Sequence, residues 1–130
     1  MAGHRLGTKE IEEVVSSHPA VAEVSVIGVT DSIKGEVPLC LTVLKIGNKP
    51  SDEMRIEINK LIRRKVGPLA APRDVFFVRI LPKTRSGKYM RRVMRAIYEG
   101  QSLKDLSTIE DGASVDEVKM AIEQMKRELR

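Results

Sequence analysis

Aromatic residues make up 3% of the 130-residue chain, and there is no tryptophan. There is one cysteine, Cys40, so no disulfide can form within the chain. Cys40 lies in the apolar run Val37 to Leu44 and reads as a small buried hydrophobe in a reducing compartment, not as a reactive thiol. No apolar segment is long enough to cross a bilayer as a helix, and the N-terminal residues lack the apolar core of a signal peptide. A soluble, cytoplasmic setting is therefore expected. The two histidines, His4 and His18, do not have the spacing of a metal-ligand pair.

What is present is a core-forming composition with an uneven charge. The hydrophobic fraction of 42% is ordinary for a globular domain, and the length suffices for a core without disulfides or metal. Lysine and arginine number 23 against 18 aspartate and glutamate, a net charge of +5. The residues Arg79, Lys83, Arg85, Lys88, Arg91, Arg92 and Arg95 fall in one stretch that holds no acidic residue. Setting those seven aside reverses the sign of the balance, so the basic excess belongs to this stretch and implies a local polyanionic ligand. Nucleic acid is one such ligand, and a nucleotide or coenzyme is another. Tyr89 is the only aromatic residue interleaved in the patch, which leaves little stacking surface for single strands.

Hydrophobic periodicity divides the chain into elements. Thr8 is placed to cap a helix with Glu10, Glu12 and Glu13 near its N-terminus, an apolar face of Ile11, Val14 and Val15, and a stop at Pro19. Val21 to Val29 and Val37 to Ile46 are rich in β-branched residues and read as neighbouring strands turned at Thr30-Asp31 and Gly35. Ser51 caps a second helix with Met54, Ile58, Leu61, Ile62 and Val66 on its buried face, ended by Gly67-Pro68. Asp74 to Ile80 reads as a third strand. A helix from about Met90 sets Met90, Val93, Met94, Ile97 and Tyr98 inward and Arg91, Arg92 and Arg95 outward. Glu99 to Ala113 reads as an irregular connector, and Ser114 with Glu117 opens a final amphipathic helix. The order predicts an α+β fold: a small, mainly three-stranded sheet flanked by helices, with a lysine-bearing turn. Residues 1–111 form the body of the domain and 112–130 add its C-terminal helix.

That turn, Leu81-Pro-Lys-Thr-Arg-Ser-Gly-Lys88, is the most informative segment. It cannot be a P-loop, because Pro82 stands where the first glycine is needed and Tyr89 where Ser or Thr must follow the lysine. Lys88 is instead a movable point charge at a loop end, open to two readings: a solvated surface lysine or a phosphate contact.

The opening Gly3-His4-Arg5-Leu6-Gly7-Thr8-Lys9-Glu10-Ile11-Glu12, the central Gly67-Pro68-Leu69-Ala70 and the stretch Pro82 to Lys88 together resemble the C-terminal domain of AMP-forming acyl-CoA synthetases, the acetyl- and propionyl-CoA synthetases in particular. The resemblance runs from residue 2 to about Asp111. It implies a mobile lid of a two-part enzyme whose larger N-terminal domain, with the ATP loop, acyl pocket and hinge aspartate, lies outside these residues. It implies ATP, CoA and Mg2+ as substrates and ion of the whole enzyme, bound mainly by that other domain, and a short-chain carboxylate as the acid.

The resemblance also assigns roles. Lys88 corresponds to the lysine that serves acyl-adenylate formation, Arg5 to an arginine on the nucleotide phosphate, and Ala2 and Gly3 to backbone along the pantetheine arm of CoA. Arg63 corresponds to an arginine on the CoA phosphate, with Arg64 one position away; the residues alone favour reading Arg63 as a solvent-facing charge at a helix end. A cation site would map onto the Ser16 and Val21 carbonyls and the His18 ring. Lys88 would also be the target of a lysine acyltransferase and a deacylase. Two other readings stand beside this one: a lid that passes its acyl group to another acceptor, and a basic nucleic-acid-binding module. Tyr89 departs from the family pattern, in which a branched aliphatic residue follows the lysine.

Overall fold

The computed structural model describes residues 7–33, 35–70, 72, 74–81, 88–99, 120 and 123. Three helices and a three-stranded mixed sheet make up these residues: α1 (Thr8–Ser16), β1 (Val21–Asp31), β2 (Gly35–Leu44), α2 (Asp52–Lys65), β3 (Val75–Phe77) and α3 (Arg91–Tyr98). A short 3-10 turn, Pro68–Ala70, follows α2. The α+β architecture read from the sequence is the one observed.

The sheet order is β1-β2-β3, with β1 antiparallel to β2 and β2 parallel to β3. Side-chain alternation sends one set of residues to each face. Ile27 and Val29 of β1, Val37, Leu39 and Leu41 of β2, and Phe76 and Val78 of the β3 segment form one core with Leu81 and Met94. Val24, Val26, Cys40, Val75 and Phe77 form the other with Ile11 and Val15 of α1 and Ile58 and Ile62 of α2. Val21 joins this second face despite its odd number because the register shifts between Val21 and Glu23. The result is three layers, with α1 and α2 on one side of the sheet and α3 on the other.

Local chemistry explains the element ends, with some departures from expectation. Gly7, not Thr8, occupies the N-cap of α1 and makes no side-chain cap; Thr8 is already helical. Ser51 caps α2 as read, its hydroxyl accepting the Met54 N–H at 3.0 Å, and Asp52 with Glu53 suits the positive helix end. Gly67 adopts φ +132°, a left-handed backbone that glycine tolerates, and its N–H returns to the Ile62 carbonyl at 3.2 Å.

The first two strands run past the expected turn: β1 continues to Asp31, whose carboxylate accepts the Ile33 N–H at 3.1 Å. β3 is shorter than the run Asp74 to Ile80 because, among the described residues, its strand partners are Cys40, Leu41 and Thr42. One bond extends it at each side, Cys40 N–H to Asp74 O at 3.0 Å and Val78 N–H to Thr42 O at 2.9 Å, and beyond them Arg79 and Ile80 are exposed. Pro38 faces Gly28 in β2 outside the span paired with β3, so its missing N–H removes no ladder bond there. Arg55 fastens α2 to β3, donating to the Val75 carbonyl at 3.1 Å with its guanidinium 5.4 Å from the Phe77 ring centroid. The connector and final helix expected beyond residue 99 lie outside the described residues, except that Met120 and Glu123 are helical.

Candidate functional site

Lys88 is exposed and stands at the junction between the basic stretch and α3. Residues 82–87 lie outside the described residues, but both anchors of the stretch are defined. Leu81 is buried in the core with Phe76, Val78 and Met94, and Tyr89 packs against the same cluster. The Tyr89 hydroxyl donates to Glu23 Oε1 at 3.2 Å. Burial, then the charge and hydrogen bond of Glu23, push the phenol up to about 12, so it remains a donor.

Arg91, Arg92 and Arg95 lie exposed on the outward face of α3, as read from the sequence, but two of the three are paired with carboxylates. Arg91 pairs with Glu12 of α1 through bonds of 2.8 Å to Oε1 and 2.7 Å to Oε2, and Glu12 Oε2 also accepts the Val26 N–H of β1 at 2.8 Å. Four residues later, Arg95 lies 3.5 Å from both Glu36 and Glu99, and Glu99 accepts the Thr30 N–H at 3.0 Å. Two arginines one helical turn apart are thus answered by carboxylates that also satisfy backbone N–H groups of the edge strand. Arg92 makes no ion pair among the described residues.

Arg63 sits in the last turn of α2, exposed beside Arg64 and Lys65, one position past buried Ile62. α2, which ends at Lys65 just past Arg63, and α3, which starts three residues after Lys88, cover opposite faces of the sheet.

Ser16, His18 and Val21 lie together in the turn from α1 to β1. The His18 ring does not fit the role of cation ligand, because Nδ1 already accepts the Ala20 N–H at 3.0 Å, which leaves Nε2 to carry the proton. Nε2 lies 3.3 Å from Glu57 Oε1, an ion-pair distance without hydrogen-bond geometry. Among the described residues no three His, Cys, Asp or Glu side chains are grouped so as to hold a metal ion. Ala2, Gly3 and Arg5 lie outside the described residues.

A family model for the AMP-binding enzyme C-terminal domain matches residues 10–88. The chain belongs to this family. As an AMP-binding enzyme C-terminal domain it is similar to acetyl-coenzyme A synthetase of Pyrobaculum aerophilum, 55% identical over 99% of this chain and 19% of that protein. It is also similar to propionate–CoA ligase of Escherichia coli, 46% identical over 95% of this chain and 20% of that protein. Among solved structures, an acyl-CoA synthetase of Brucella canis superposes with a TM-score of 0.71 at 32% identity, covering 77% of this chain and 19% of that one. The chain spans about a fifth of the length of the curated relatives it matches. Among its described residues no helix is long and apolar enough to cross a membrane.

Sequence reasoning missed Glu12 and Glu23. Each sits in an element whose pattern explains its neighbours, and nothing in that pattern names a partner in α3 or at Tyr89. The one available signal was the unusual Tyr89, a polar-tipped ring that needs an acceptor when half-buried.

Proposed function

We propose that this chain is the mobile C-terminal domain of a short-chain acyl-CoA ligase and offers different faces to two half-reactions. In the first, a carboxylate oxygen attacks the α-phosphorus of ATP and pyrophosphate leaves, giving an acyl-adenylate. In the second, the CoA thiolate attacks the acyl carbon and AMP leaves. The Lys88 ammonium serves the first step: two anions approach each other, charge builds on the phosphoryl oxygens, and a cation held there lowers the barrier without moving a proton. The second step uses the opposite side. Arg63 meets a CoA phosphate, Ala2 and Gly3 line the pantetheine, and Arg5 holds the nucleotide phosphate.

The observation that supports this reading is that Arg63 lies in the last turn of α2 and Lys88 just before α3, two helices that cover opposite faces of the sheet. Any single docked pose turns one layer toward bound substrates and the other away, so a domain that uses both must swing between steps. ATP, CoA and Mg2+ would be held mainly by the N-terminal domain of the enzyme, this domain's principal partner, and the 130 residues alone would be inactive. Relatives named for acetate and propionate match the chain at 55% and 46% identity, in keeping with an acyl pocket that lies elsewhere. The engagement of Arg91 and Arg95 by carboxylates weighs against a nucleic-acid surface.

The test is pyrophosphate exchange in the full-length enzyme. Lys88→Ala abolishes exchange and spares thioester formation from supplied acyl-adenylate; equal loss of both steps would sink the proposal. Acylation of Lys88 by a lysine acyltransferase would remove the same charge and a deacylase would restore it. Intact-mass analysis before and after each treatment, alongside exchange activity, tests that control point.

A further inference from the structure

Lys88 has a long stem with roughly 2 kcal/mol of rotamer freedom, so where its ammonium can reach depends on how firmly its backbone is held. The structure holds it with unusual care on the C-terminal side. Tyr89, the next residue, packs against the core cluster that includes Leu81 and Met94 and sets its hydroxyl on Glu23 of β1. Arg91, two residues further on, grips both oxygens of Glu12, and its guanidinium also lies 5.8 Å from the centroid of the Tyr89 ring. Glu12 is largely sheltered, with 15% of its side chain exposed, while Arg91 is 47% exposed, so the pair is anchored on the Glu12 side. Its second bond, to the Val26 N–H, passes the connection to the edge strand. Within three residues of Lys88 the chain is therefore tied to β1 twice, once directly at Glu23 and once through α1.

We propose that Tyr89 and Arg91 are positioning residues for Lys88: by holding Glu23 and Glu12 they fix the point and direction from which the lysine stem leaves the domain. This inference rests on the reading of Lys88 as the cation of adenylate formation. Its physical basis is that displacing a reacting group by about 1 Å costs on the order of 100-fold in rate. Only the half-reaction that uses Lys88 feels such a displacement, whereas a tie serving folding alone would affect both half-reactions together. Tyr89 thus gains a purpose that a branched aliphatic side chain could not serve, since only the phenol reaches a carboxylate.

The experiment uses the full-length ligase carrying this domain, with Arg91→Met, Arg91→Lys, Tyr89→Phe and Lys88→Ala compared in both half-reactions. Arg91→Met is expected to slow pyrophosphate exchange by about 10- to 100-fold while leaving thioester formation from supplied acyl-adenylate unchanged. Arg91→Lys recovers part of the loss, because an ammonium restores the charge but not the reach and planar shape of the guanidinium whose Nη2 meets both Glu12 oxygens. Tyr89→Phe keeps the ring in the core and loses roughly threefold in exchange, the equivalent of one hydrogen bond.

Unchanged exchange in both Arg91→Met and Tyr89→Phe, or an equal fall in both half-reactions, overturns the inference. Should Arg91→Met fail to fold, Tyr89→Phe decides alone: a selective loss supports the positioning role and no loss rejects it. Lys88→Ala separates the two levels of the argument. If that variant keeps exchange, the functional reading falls and this inference with it. If it loses exchange while the Tyr89 and Arg91 variants keep it, positioning alone is rejected.

Discussion

Glu99, at the end of α3, accepts the backbone N–H of Thr30 at 3.0 Å and so covers part of the open edge of β1 from 69 residues further along the chain. The amide bond, reinforced by Arg95, holds the Glu99 carboxyl below its usual range. A carboxyl lowered in the folded state stabilises the fold above its unfolded value, and that contribution disappears as pH falls through the folded value. Glu99→Gln should therefore be less stable than the parent near neutral pH. The gap should be full above the ordinary glutamate value of about 4.3 and should close as pH falls through the lower folded value, below which both side chains are neutral. Urea denaturation of the two proteins across that range measures it, and a gap independent of pH would refute the assignment.

Thr42 is fully buried in β2, and its hydroxyl has no hydrogen-bond partner among the described residues. A buried hydroxyl without a partner costs about 1–3 kcal/mol of desolvation, and valine has nearly the same shape. Thr42→Val is expected to raise stability by about 1 kcal/mol, read as a higher urea midpoint with an unchanged slope. A lower midpoint would mean that the hydroxyl is satisfied after all.

Cys40 is fully buried, and burial, then the nearby charges of Glu12 and Asp74, push its thiol up to about 12. Thiolate, the reactive species, is then scarce near neutral pH. Under native conditions a disulfide reagent should modify Cys40 only as fast as the sheet opens, and denaturant should release rapid reaction of one thiol per chain. Rapid labelling of the folded protein would contradict the packing of β2.

Much of the fold was legible because its signals are local. The Ser51 cap, the β-branched runs of β1 and β2, and the spacing that buries Met94 each lie within a few residues. The length of β3 was not legible, since its partners Cys40 to Thr42 set it and a strand's own composition does not. The fate of the arginines was hidden for the same reason. Helical spacing shows that Arg91 points away from Met94, but Glu12 meets it only once α1 and α3 pack around the edge of β1, 79 residues apart in the chain. Lys88 and Arg63 were singled out by motif resemblance, and the placement of their neighbouring helices, α3 and α2, on opposite faces became visible only when each core was assigned to a face of the sheet. Ala2, Gly3 and Arg5 rest on the resemblance alone.

The division of labour between the two layers is tested most directly by measuring both half-reactions in Lys88→Ala and Arg63→Ala full-length enzymes. The account predicts a crossed result. Lys88→Ala loses pyrophosphate exchange and keeps thioester formation from acyl-adenylate, while Arg63→Ala keeps exchange and shows a raised KM for CoA with little change for ATP. Parallel loss of both half-reactions in both variants, or an unchanged CoA dependence in Arg63→Ala, would contradict it.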